Sequence, residues 1–199
     1  PEVRGVMDLM LGAARQPFNE DFPLFQTSEP TNTPEFTRWF GDSKVRTRGK
    51  KPLVVYHTTG RGGQFDQFDA GKSDLGIHFG DEEAAGDVAE RFTVRGEVVG
   101  NYRVATFPAY LRIENPLRLK DEGSFASEAI AGQLRKKGII DKATADLWEK
   151  GGPMALIDQY DAEAREAIKR AGYDGIVYRN EREGAGNSYI IFDATQAKS

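Results

Sequence analysis

The 199-residue chain contains no cysteine. That excludes a thiolate nucleophile, a disulfide framework and cysteine-ligated zinc. It leaves the compartment open, because a cysteine-free chain survives in any redox environment. Histidine is almost as scarce, with only His57 and His78 present. A histidine-rich metal centre is therefore excluded, and a two-histidine site would need carboxylates that no spacing here supplies. No apolar run approaches the roughly 20 residues that span a bilayer. Nor does one sign of charge dominate: charged residues make up 29% of the chain, yet the net charge is only −4. That mild acidity argues against a nucleic-acid platform, which normally carries a basic face. The opening Pro1-Glu2-Val3-Arg4 has neither an initiator Met nor a secretory h-region, and reads as part of a longer protein.

What is present suits one domain, since a chain of this length can bury a core without staples. Apolar residues at Val3, Val6, Met7, Leu9, Met10 and Leu11 give a short amphipathic helix over 3–14, and 16–33 reads as an irregular connector. Thr33-Pro34-Glu35 is a helix start, with Thr as cap, Pro in the first turn and an acid behind it. That helix carries Phe36, Trp39 and Phe40 into a core and stops near Gly41. Strands are expected at 52–57, 64–69, 75–79 and 98–113, the last weakened by Pro108, which suggests an edge or a bulge. A helix of about ten residues follows the cap Asp81. Residues 124–171 form a helical block in three segments, Ser124–Lys137, Lys142–Lys150 and Pro153–Ala171, closed by Gly172. Strands return at 173–178 and 188–193, around a Gly-rich connection at 180–187. The expected fold is α+β, an N-terminal helical extension over 1–32 followed by one domain over 33–199 whose sheet is interrupted by the helical block.

Four places could carry chemistry. His57 ends the apolar run Leu53-Val54-Val55-Tyr56. A histidine there often does no more than bond the backbone, but Thr58-Thr59-Gly60 follows it with hydroxyls and a pliant main chain. His78 faces away from Ile77 and Phe79 under strand alternation. Gly76 and Gly80 on either side fit a strand bend as well as the close approach of a ligand. Glu181 and Glu183 lie in the connection before the final strand. They belong either to a solvated loop or to a cleft, where one carboxylate could bond a ribose hydroxyl and stabilise charge developing at an anomeric carbon.

Taken in order, these segments resemble the ADP-ribosyltransferases related to diphtheria toxin and the poly(ADP-ribose) polymerases. In that family one strand ends in His-Gly-Ser/Thr, a second runs Gly-Ile-Tyr-Phe-Ala into a helix, and the last runs Glu-Tyr-Ile-Val-Tyr-Asp-x-x-Gln. The chain is closer still to the phage and polymorphic-toxin branch. It shares with that branch Trp39 to Lys44, Lys51 to His57, Phe65 to Asp69, Asn115 to Leu117, Gly172 to Ile176 and Gln196 to Ser199. Coverage runs from about residue 33 to the end.

The resemblance implies a split-sheet core and NAD+ as substrate, with no metal required. By position, His57 would bond the adenosine-side ribose, and the backbone at Thr58, where the family has Gly, would clamp the nicotinamide amide. His78 takes the place of an aromatic that packs on nicotinamide, and Phe92 that of a second stacking ring. Ala89 stands where a serine hydroxyl would contact the amide. Thr59, Gly76, Phe79, Ser188 and Tyr189 complete the NAD-binding set. Ser188 itself occupies the family's catalytic glutamate position, so a carboxylate would have to come from upstream, Glu183 first and Glu181 second. The implied function is mono-ADP-ribosylation of a protein acceptor, with nicotinamide released, as a bacterial or phage toxin or effector domain. Such a protein resides in the cytosol of the producing cell, with delivery into a target cell left open. An inactive binding module and a phage structural domain are the alternatives. The helical block, which NAD binding does not explain, is expected to recognise the acceptor.

Overall fold

The computed structural model describes residues 30–60, 75–94, 97–98, 103–181 and 186–199. The expected helix at 3–14, most of the connector at 16–33, the strand at 64–69 and Glu183 lie outside them. Local signals are obeyed where they are strongest. Helix α1 (Pro34–Phe40) begins where the Thr33 hydroxyl accepts the Phe36 N–H, and it ends at Gly41 with φ of 51°. Its Phe36 and Phe40 are buried, with ring centroids 5.3 Å apart. The Trp39 indole donates to the carbonyl of Thr195.

Strand β1 (Val55–Thr59) pairs antiparallel with β5 (Ala105–Leu111), which also carries the short β9 (Ala197–Lys198). A second sheet has the order β2-β8-β7-β6, from Ile77–Phe79, Asn187–Ile191, Gly175–Arg179 and Pro116–Lys120. Only β6 and β7 run parallel, and residues 121–174 make the crossover between them. Helix α2 (Glu82–Glu90) follows β2 and leads to a two-residue hairpin, β3 (Thr93–Val94) with β4 (Glu97–Val98). The two large sheets meet at a single bridge, where Tyr56 and Gly80 exchange backbone hydrogen bonds of 2.8 and 2.9 Å.

Several boundaries differ from those expected, each for a visible reason. β1 starts at Val55 because Leu53 donates its N–H to Val45 and Pro52 bridges Arg46; it runs on through Thr59, so His57 lies mid-strand. β5 begins only at Ala105. Its Pro108 faces Tyr56, whose own N–H and C=O are spent on Gly80, so the missing proline donor leaves nothing unsatisfied there. The first helix of the block, α3 (Ser127–Lys136), starts three residues after Ser124. The Ser124 hydroxyl accepts the Ala126 N–H in a local turn, and the buried carboxylate of Asp161 accepts the Ser127 N–H. Helices α4 (Lys142–Glu149) and α5 (Met154–Arg170) follow, the latter closed by Gly172 at φ of 90°. β8 stops at Ile191 because the Gln196 side chain accepts the next two N–H groups, from Phe192 and Asp193.

Two cores form, one on each face of the four-stranded sheet. On one face Ile77, Phe79, Val177, Tyr189 and Ile191 pack against Val55, Ala109, Leu111 and Ile113 of the neighbouring sheet and its end. On the other, Leu117, Ile176 and Ile190 pack against Ile130, Leu134, Trp148 and Ile168. The helical block is thus half of a core rather than an appendage, and removing it would strip an apolar face.

Short polar side chains tie the layers together. Ser43 Oγ donates to Leu111 O and accepts from Val45 and Ile113. Asp174 accepts the N–H groups of Glu114 and Asn115. Gln196 Nε2 donates to Arg112 O and Asp174 O, joining the last strand of one sheet to the entry of β7 in the other. At roughly 1 kcal/mol net per hydrogen bond, Gln196→Ala should cost about 2–4 kcal/mol, read as a lowered urea midpoint at unchanged slope.

Candidate active site

The bridge between Tyr56 and Gly80 leaves β1 and β2 splayed around a cleft of about 240 Å³. Tyr56, His57 and Thr58 form one wall, His78, Phe79 and Gly80 another, and Tyr178 and Ser188 the floor. The third wall is α2, through Ala84, Ala85, Val88 and Arg91. Asp81 makes that wall possible: its carboxylate accepts the Ala84 N–H at 2.9 Å and starts the helix immediately after β2. Gly80 lets it come close, because a Cβ there would stand 2.7 Å from that of Ala84.

His57 is oriented by backbone rather than by a carboxylate. Its Nδ1 lies 2.8 Å from the carbonyl of His78. A carbonyl only accepts, so Nδ1 carries the proton and Nε2 is the acceptor nitrogen. Burial pushes the His57 pKa below its ordinary value, against the opposing pull of that same carbonyl. The ring is therefore neutral at neutral pH. It also packs against Phe79, centroids 5.6 Å apart.

Thr58 braces the cleft. Its hydroxyl donates to Ala85 O at 3.1 Å, which uses its only proton, so Thr106 must be the donor in their 2.9 Å contact. One hydroxyl pair thereby ties β5, β1 and α2. His78 makes an edge contact with Phe125, which itself packs on Tyr178 at 4.1 Å. Ser188 is buried at the floor, and its Oγ accepts from the Asn180 side chain at 3.1 Å.

Of the residues expected in the site, His57, Thr58, His78, Phe79 and Ser188 meet in the cleft. Thr59 pairs with Ala105 at the far end of β1 and lies outside the lining. Gly76 is buried against β8, where a Cβ would meet Ile191 O at 2.3 Å; its side-chain-free surface serves packing. Phe92 follows the end of α2, whose lining stripe closes at Arg91. Tyr189 points to the opposite face of β8 from Ser188. Glu181 is exposed, and its N–H donates to Asp121. The site set read from the sequence left out Tyr56, Gly80, Ala84, Ala85, Val88, Arg91 and Tyr178. The signal existed: counted from the Asp81 cap, residues 84, 85, 88 and 91 share one helical face. Strand pairing then sets Tyr178 opposite Ser188.

A larger, shallower hollow of about 670 Å³ lies between α4 and α5 over Trp148, but none of the candidate residues line it. Among the described residues no cluster of three metal-ligating side chains forms. No helix among them is long and apolar enough to cross a membrane.

A family model described as ADP-ribosyltransferase in polyvalent proteins matches residues 47–199, and the chain belongs to that family. The split sheets and the order of the motifs agree with this assignment. No match is found among curated proteins or among solved structures.

Two outcomes follow from the geometry. Gly76→Ala should lower the melting temperature, because the clash is with strand backbone. For His57, the folded pKa lies below the ordinary ~6.5, so the unfolded chain takes up the proton first. Its contribution to stability is present above about pH 6.5 and is lost as pH falls through the lowered folded value. Ligand affinity at Nε2 should fall as pH is lowered, with its midpoint below that of an ordinary imidazole, as a calorimetric pH series would show.

Proposed function

We propose that the cleft binds NAD+ and that the domain transfers ADP-ribose to a protein acceptor with release of nicotinamide, as a toxin or effector domain. The observation that carries this reading is the neutral His57, held by the His78 carbonyl with Nε2 as an acceptor for a ribose hydroxyl. Thr58, with its side chain committed to Ala85 and Thr106, has its backbone to offer the nicotinamide amide. The His78 ring, steadied by Phe125, supplies a flat surface for that base. Arg91 is the one charged residue of the described lining and sits where a pyrophosphate charge can be met. At about 240 Å³ the described walls enclose one end of a dinucleotide.

Charge develops on the ribose as the nicotinamide–ribose bond breaks, and an acceptor nucleophile then attacks the same carbon and gives up its proton. A carboxylate bonding a ribose hydroxyl would stabilise that state. Ser188 cannot supply it, since its hydroxyl is neutral and already bonded to Asn180. We assign the role to Glu183 ahead of Glu181. The ends of its loop are closed beside Ser188 by a 3.0 Å hydrogen bond from Asn180 N–H to Gly186 O.

Nicotinamide release and label transfer from NAD+ should fall about 10²–10³-fold in Glu183→Gln, with Glu181→Gln much closer to wild type. The reverse order would move the role to Glu181. A second reading, a dinucleotide-binding module without turnover, is favoured by the buried neutral Ser188. It would be adopted if NAD+ binds calorimetrically while no nicotinamide appears.

A further inference from the structure

Five cations of this acidic chain gather on one face. Arg118, Lys120 and Arg179 share a face of the sheet with Val177, Asn187 and Tyr189, because paired positions and residues two apart point the same way. The segment after α1 brings Lys44 and Arg46 against them. A hollow of about 80 Å³ lies between, lined by Lys44, Arg46, Arg118, Asn187 and Tyr189. It is a separate cavity on the far side of β8: Ser188 faces the cleft, while its neighbours Asn187 and Tyr189 face this hollow.

The positive charge here is not neutralised. Arg46 donates from all three guanidinium nitrogens to backbone carbonyls, of Ser43, Lys50 and Gly41, and lies 4.7 Å over the Phe40 ring. Those acceptors are neutral, so the group is fixed in place with its charge uncompensated. Lys44, Arg118, Lys120 and Arg179 make no ion pair among the described residues. Two carboxylates of the neighbourhood lie outside the lining and bond backbone N–H groups, although the Asp81 charge is felt at Tyr189. Asp121 accepts the N–H groups of Gly123 and Glu181, and Asp81 caps α2. Tyr189 keeps its proton, burial raising its pKa, and its hydroxyl bonds the Asn187 side chain. The described lining is therefore three cations and two neutral polar groups set on an apolar base of Val45, Ile113, Pro116 and Val177, with no carboxylate among the described residues, in a space a third the size of the cleft.

We propose that this hollow is a phosphate-binding site, in which Lys44 and Arg118 hold a free phosphate or a phosphate monoester. A compact tetrahedral anion matches the volume, and converging ammonium and guanidinium groups are the donors such an anion takes. The site does not depend on the NAD+ reading.

The test is an NMR titration of the whole chain with inorganic phosphate, referenced to chloride at equal ionic strength. Saturable shifts centred on Lys44, Arg118, Asn187 and Tyr189 are expected. The double variant Lys44→Gln/Arg118→Gln, both exposed positions, should weaken binding at least about tenfold, while His57→Ala should leave it intact. Shifts that chloride reproduces, or an affinity that the double variant retains, would overturn the site. O-phosphoserine as a second probe separates the sources. Tighter binding than phosphate supports a phosphorylated side chain as the ligand, and equal binding supports free phosphate.

Discussion

Two backbone hydrogen bonds between Tyr56 and Gly80 fix where the cleft of this protein lies. They make the β-bridge between the two large sheets, and everything in the cleft is referenced to them. One residue beyond Tyr56, His57 reaches the carbonyl of His78, two residues before Gly80. One residue beyond Gly80, Asp81 starts α2 and so sets the third wall. Because the bridge uses main-chain groups alone, it constrains residue types only through shape. Gly80 must be small for α2 to approach, and Pro108 is tolerated because Tyr56 asks nothing of it.

Much of the fold could be read from the chain, because its signals are local. Thr33 and Asp81 each cap a helix with the side chain that sequence alone marks as a cap. The short apolar runs became strands, and the inferred α+β split-sheet architecture holds. Strand ends were not legible, since they depend on partners distant in sequence. β1 shifts because Pro52 and Leu53 answer to Arg46 and Val45, and β8 stops because Gln196 takes its next donors. The motifs that carried the family resemblance now have a physical content. Ser43, Asn115, Asp174 and Gln196 are hydrogen-bonding ties between layers, so they report on architecture rather than on chemistry.

The site was legible to a different extent. Motif order brought out His57, Thr58, His78, Phe79 and Ser188, which the fold gathers into one cleft. The resemblance also placed Thr59, Gly76, Phe92 and Tyr189 in the set; none of the four lines the cleft, and Tyr189 faces the other side of β8. Family membership establishes an ADP-ribosyltransferase domain. The floor of its cleft, made by Tyr178 and Ser188, is nevertheless without a charged side chain.

The strand order has a consequence in time. β8 lies between β2 and β7, so a middle strand of the four-stranded sheet is made after its other three strands. Until residues 187–191 emerge from the ribosome, β2 lacks its partner, the cleft lacks its floor and both cores lack a strand. Non-local pairing of this kind forms late in folding. The pocket therefore comes into being only once β8 has been made, and a copy cut short before β8 would carry the other walls of it without forming the site.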